Sequence, residues 1–169
     1  METIQQSASS PAKTSAEREK LEAVAGKIAV CTNCILSKQR IHVVPGEGVL
    51  NPTVMVIGEG PGENEDLQGK PFVGRSGKLL DVFLDEIGLN REKIYIANIV
   101  KCRPPENRDP TSDEQDCCIN WLRNQVYIIR PKIIVALGRI AAMKIINPDI
   151  PNINFIVVSF IIDFLIKNS

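Results

Sequence analysis

Two groups of residues in this 169-residue chain have the types and spacing for chemistry: five cysteines, and a loop rich in both glycine and acid. Cys31 and Cys34 form a CxxC in CTNC, Cys102 lies in KCRPP, and Cys117 and Cys118 are adjacent further on. One CxxC is a weak signal, since free cysteines also serve as small buried hydrophobes. Four converging sulfurs are a stronger one. They accept tetrahedral zinc or an iron–sulfur cluster, and the spacing does not choose between the two. The polar N-terminus, METIQQSASSPAKTSAEREK, lacks the apolar segment of a secretory signal. A cytoplasmic location is therefore expected, where thiols stay reduced and disulfides are rare.

The second group is GEGPGENEDLQGKPFVGRSGKLLD, residues 58–81. Its glycines suggest a phosphate cradle, yet Glu59, Glu63, Glu65 and Asp66 surround them with negative charge. It is not a Walker A loop: six residues separate Gly62 from Gly69 where four are required, and Pro71 stands where a magnesium-binding hydroxyl belongs. Gly58, Gly60, Pro61 and Gly62 read either as a tight strand-to-helix turn or as a place where backbone approaches a ligand. Phe72, between Pro71 and Val73-Gly74, is either a core residue or a stacking platform for a flat ligand such as a nucleobase. Asn98 sits in the apolar run IYIANIV, and a buried amide must find partners. It makes a structural hydrogen bond there or presents donor and acceptor to a pyrimidine edge. Lys101, Arg103 and Arg108 in KCRPPENR form a basic cluster suited to phosphate contacts. His42, the one histidine, lies upstream in QRIHVVPGEG and is weakly placed for chemistry.

The elements that must hold these residues alternate. VMVI (54–57), IYIANIV (94–100) and IIVAL (133–137) are short, β-branched and almost continuously apolar, as buried parallel strands are. Leu79, Leu80, Phe83, Leu84 and Ile87 form a helical stripe closed by Gly88. A second helix opens with Thr111 and Glu114 at capping-box spacing and carries Cys118, Trp121, Leu122, Gln125, Val126 and Ile129 along one side. Strand, helix, strand in repetition implies a parallel sheet with helices on both faces, and ligands bind at the carboxyl ends of such strands. Both the GEGPG loop and NIVKCRPP fall there.

Length and composition bound the rest. The size is that of one globular domain, and zero formal net charge gives no overall argument for nucleic acid, although a local basic patch remains compatible with it. Residues 1–19 are expected to be a disordered polar tail, 20–150 the folded domain, and 151–169 an atypical apolar tail. That tail, DIPNINFIVVSFIIDFLIKNS from residue 149, has no clear period, and its apolar run is too short for a bilayer and contains Asp163. It reads as one more buried strand, Phe155 to Phe160, or as the product of a disrupted coding frame.

GEGPGENED, GKPFVGRSGKLLD, NIVKCRPPENRDP and the upstream CxxC, in that order, closely resemble the family 4 uracil-DNA glycosylases, the thermostable iron–sulfur type, from about Ala29 to about Asn147. The resemblance implies a three-layer α/β/α sandwich around a four-stranded parallel sheet. It implies a 4Fe-4S cluster on Cys31, Cys34, Cys102 and Cys118, with Cys117 spare, and a monomer acting on uracil-containing DNA. By it, Phe72 stacks on a flipped-out uracil, Asn98 bonds its polar edge, and Glu59 with the loop Gly58, Gly60, Pro61 and Gly62 shapes the water and sugar side. The reaction implied is hydrolysis of the N-glycosidic bond, the first step of base excision repair. One departure stands out. The family carries a His-Pro motif after its fourth strand, and this sequence has no His-Pro pair. The atypical tail stands where the last strand and closing helix belong. A truncated or frameshifted chain that lacks them, a catalytically impaired DNA-binding remnant with the cluster, is the alternative expectation.

Overall fold

A computed structural model describes residues 11–145 and the backbone of residues 154–158. The chain opens with helix α1 (Pro11–Ala29). Strand β1 (Glu47–Gly48) and strand β2 (Val54–Gly58) follow, then helices α2 (Glu63–Gln68) and α3 (Arg75–Glu86). Strand β3 (Tyr95–Asn98), helix α4 (Ser112–Ile129), strand β4 (Ile133–Leu137), helix α5 (Arg139–Ile145) and strand β5 (Asn154–Val158) complete it.

The sheet order is β1-β3-β2-β4-β5. Strands β3, β2, β4 and β5 pair in parallel, and the two-residue β1 adds an antiparallel edge to β3. Because side chains alternate across a strand, β2, β3 and β4 feed two cores. Met55, Ile57, Tyr95, Ala97, Ile134 and Ala136 face α4 and α5, meeting Leu122, Ile129, Ala141 and Ile145. Val56, Ile96 and Leu137 face the other way, onto Leu80 and Leu84 of α3. This is the three-layer sandwich with four parallel strands that the residues and the resemblance imply. Complete burial of each of these Ile and Leu side chains contributes about 1.5–3 kcal/mol.

Helix α4 starts as its spacing requires: Glu114 N donates to Thr111 Oγ1 at 3.3 Å, and Thr111 N to Glu114 Oε2 at 2.8 Å. Helix α3 buries Leu80 and Leu84, whereas Ile87, expected in its stripe, lies beyond the last turn and is exposed. One expectation about the ends is corrected. The polar segment to Glu19 is helical from Pro11, because α1 packs along α4 and buries Glu17, whose carboxylate accepts from Asn51 Nδ2 at 2.9 Å. The last parallel strand, whose loss was one of two readings of the tail, pairs with β4 from Ile133↔Asn154 to Leu137↔Val158. Its expected end at Phe160 and the closing helix lie outside the described residues. Among the described residues no helix is long and apolar enough to cross a membrane.

Candidate functional site

The carboxyl ends of β2 and β3 lie side by side with Gly58 opposite Asn98. Their ladder continues past the strands: Ile99 N donates to Gly58 O at 2.9 Å and Val100 N to Glu59 O at 3.1 Å. The GEGPG loop is thereby zipped to NIVKC. Asn98 is 1% exposed, and its Oδ1 is buried without a hydrogen-bond partner. A buried acceptor left unpaired costs about 1–3 kcal/mol, and a donor brought from outside would remove that cost. A Cβ on Gly58 would stand 2.6 Å from Asn98 Oδ1 and 2.5 Å from Phe72 Cζ. Only glycine lets the amide and the aromatic ring close on the same point of the backbone. Phe72 is half-buried against the α3-side core, and its φ of +53° is the left-handed region, at a cost of about 1–3 kcal/mol for an aromatic residue. Glu59 and Gly60 are half-buried beside this point, Pro61 is buried, and Gly62 begins α2.

Two of the loop's four carboxylates, Glu65 and Asp66, are directed at backbone N–H groups. Glu65 accepts from Gly62 N at 3.1 Å with one oxygen and from Val73 N and Gly74 N at 2.8 and 2.7 Å with the other, so it fastens the GEGPG loop to the Phe72 loop. Asp66, 2% exposed, accepts from Ile41 N at 3.0 Å and His42 N at 3.2 Å. His42 Nδ1 lies 2.9 Å from the Asp66 carbonyl oxygen, which ties the sole histidine, and with it the 39–46 connection, to α2. Spacing already hinted at Glu65: it stands three residues after Gly62, where a capping carboxylate belongs. Arg91, which binds the carbonyls of Pro71 and Phe72, carried no signal in the sequence.

The basic cluster does not form. Lys101, expected at a DNA backbone, is 1% exposed: its Nζ donates to Asn98 O at 2.9 Å and Gln125 Oε1 at 2.7 Å. Burial pushes its pKa down to about 8. It braces the Asn98 peptide from within and reaches no phosphate. Arg103 donates to Asn107 Oδ1 at 2.8 Å and lies 3.7 Å from Glu63, while Arg108 grips Glu114 with both terminal nitrogens, at 2.8 and 2.7 Å. Those two remain at the surface, each facing a carboxylate.

Cys31, Cys34, Cys102, Cys117 and Cys118 line one recess of about 290 Å³ including its mouth, together with Arg40 and Trp121. Arg40 Nη1 donates to Cys102 Sγ at 3.1 Å and Nη2 to Ala29 O at 3.0 Å; Lys101 N donates to Cys118 Sγ at 3.3 Å. Cys118 is buried and Cys117 exposed. Burial pushes the thiols of Cys34 and Cys102 up and that of Cys118 to about 11, so a thiolate form here requires a cationic partner. The Trp121 indole N–H is buried without an acceptor. Among the described residues, no three His, Cys, Asp or Glu side chains are gathered tightly enough to hold a single metal ion. Five cysteine sulfurs on one recess, donors aimed at two of them and an unpaired N–H have the chemistry of a site for a thiolate-bound group.

The family model of the uracil DNA glycosylase superfamily matches residues 45–162, from the connection before β1 through β5. The chain belongs to the uracil DNA glycosylase superfamily. Within it the chain is similar to type-4 uracil-DNA glycosylases. It is 51% identical over 123 residues to that of Thermotoga maritima, covering 73% of this chain and 64% of the relative. With the Archaeoglobus fulgidus enzyme it shares 48% over 129 residues, 76% of this chain and 65% of the relative. With that of Saccharolobus solfataricus it shares 52% over 122 residues, 72% and 56%. The chain thus spans less than two thirds of the length of these curated relatives. The superfamily match includes Gly58, Phe72, Asn98, Cys102 and Cys118 and begins after Cys31 and Cys34.

Proposed function

We propose that this chain is a uracil-DNA glycosylase of type 4, hydrolysing the bond between uracil and deoxyribose in DNA. The observation that carries the reading is the partnerless Oδ1 of Asn98, buried at the strand ends beside the Phe72 ring. Uracil has an N–H at N3 and donates to that oxygen; cytosine has a lone pair there and is repelled by it. A base reaches such a pocket only after leaving the stack, at a cost of a few kcal/mol that a mispaired uracil reduces. Phe72 offsets part of it by stacking, worth about 1–3 kcal/mol per base.

As the C1′–N1 bond breaks, positive charge grows on the sugar and negative charge on the departing uracil, and water adds at C1′. Glu59, at the sugar side of the loop, stabilises the first and orients the water. The Asn98 amide nitrogen and loop N–H groups, as donors, meet the second. His42, tied to Asp66, supplies no donor to it. Removal of one such donor lowers rates about 10²–10³-fold. Arg103 and Arg108 contact the DNA backbone by exchanging their present carboxylate partners for phosphates. A 4Fe-4S cluster on Cys31, Cys34, Cys102 and Cys118 would cross-link the 31–34 turn to the end of the pocket strand and to α4; no step of the reaction passes through it.

The test is a labelled oligonucleotide with one uracil, incubated with the folded chain and treated with alkali. Strand cleavage that falls at least about 100-fold in Asn98→Ala supports the reading. Absence of cleavage by a folded, cluster-loaded chain would sink it.

A further inference from the structure

Phe72 holds its left-handed backbone where two side chains outside its loop bind four backbone groups between Pro71 and Gly74. Glu65 takes the N–H groups of Val73 and Gly74. Arg91, just before β3, takes the two carbonyls that precede them: Nη1 donates to Pro71 O at 3.1 Å and Nη2 to Phe72 O. The guanidinium is itself fixed by Asp81 of α3, which accepts from Nε at 2.6 Å and from Nη2 at 3.4 Å. On the opposite side α3 presses directly on the same peptide, where a Cβ on Gly77 would stand 1.8 Å from Phe72 O. The ring so placed touches Gly58 beside Asn98 Oδ1. Arg91 is half-buried and its donors are committed to Asp81 and to these carbonyls, so a DNA-contact role does not account for it.

We propose that Arg91, held by Asp81, is a positioning residue for the base-stacking platform: it fixes the strained Phe72 backbone so that the ring stands over the base site before a base arrives. The inference rests on the reading of Phe72 and Asn98 as a uracil site. Preorganisation of this kind raises affinity because the cost of ordering the loop is met on folding rather than on binding. Without the guanidinium two carbonyls lose their donors, the backbone relaxes to negative φ, and the ring leaves Gly58. Lysine replaces it poorly, since one ammonium cannot fork onto a carboxylate and two carbonyls together.

The experiment uses the full chain labelled with 4-fluorophenylalanine and titrated with free uracil, the Phe72 fluorine signal being the one that disappears in Phe72→Leu. In the unmodified chain that signal is expected to shift on uracil addition. In Arg91→Gln it should start from a different position and lose its response, with uracil affinity lowered about 10-fold or more, while visible absorption and helix content stay unchanged. Arg91→Lys, which keeps the charge should Arg91→Gln fail to fold, is expected to weaken uracil binding several-fold and displace the same signal. Unaltered Phe72 position and affinity in a folded Arg91 variant overturn the inference. No response to uracil in the unmodified chain overturns the site reading instead.

Discussion

Asn98, Gly58 and Phe72 meet at the end of β2 and β3, and the sequence singled out all three as candidates, the amide in an apolar run and the phenylalanine in a Pro-Phe-Val-Gly loop each with a structural and a ligand-binding reading. Gly58→Ala places a methyl group 2.5 Å from the Phe72 ring, so a single-turnover assay should show excision slowed at least about 10-fold with far less effect on thermal stability. Lys101 was illegible because a lysine near arginines reads as solvated charge. Its burial depends on two acceptors, Asn98 O and Gln125 Oε1, that come from different elements and meet only in the fold. The two adjacent cysteines separate at the same scale. Cys118, buried and bonded by Lys101 N, is expected to be indispensable for brown colour and iron content, whereas Cys117→Ser should retain both. Equal iron loss in the two variants would contradict that assignment.

At the scale of elements, β2, β3 and β4 were legible from their apolar runs and α4 from its apolar side together with a capping-box start, whereas the two-residue β1 carried no pattern. Helix α1 was legible only in its second half, where Leu21, Val24, Ala25 and Ile28 have helical spacing; residues 11–20 have no apolar stripe, and the helix packs on α4 and carries the Glu17–Asn51 bond. The start of α4 carries a pH dependence. The Arg108 guanidinium, more than the Thr111 groups, holds the Glu114 carboxyl below its usual 4.5. A folded value below the unfolded one gives stability that is complete above 4.5 and disappears as pH falls through the folded value. Glu114→Gln should therefore cost about 1–3 kcal/mol at neutral pH, and the difference from the unmodified chain should shrink below pH 4.5 in denaturant titrations. A difference that stays constant with pH would refute the assignment of the ion pair.

For the whole molecule, alternation of strand and helix was sufficient for a covered parallel sheet, but not for its order. Order follows from α3 and α4 lying on opposite faces, which sends β3 to one side of β2 and β4 to the other. The C-terminal strand was half-legible, since FIVV has the composition of a buried strand without a helix of clear period before it. The cysteine recess joins the two ends of this architecture, the turn after α1 and the segment after β3. Stripping iron from the full chain with a chelator is expected to lower its stability on the order of 3–5 kcal/mol, as opening a long covalent loop does. An unchanged unfolding midpoint after complete iron loss would remove the cross-linking role.

The central claim is that the Asn98 carbonyl oxygen receives the N3 hydrogen of uracil. It is tested most directly by release of the free base, measured chromatographically under single turnover, from two oligonucleotides that differ only in carrying uracil or 3-methyluracil. The account predicts release of uracil and a rate at least about 100-fold lower for the methylated base, with Asn98→Ala abolishing most of the preference. Equal release of the two bases, or a preference that survives in Asn98→Ala, would contradict it.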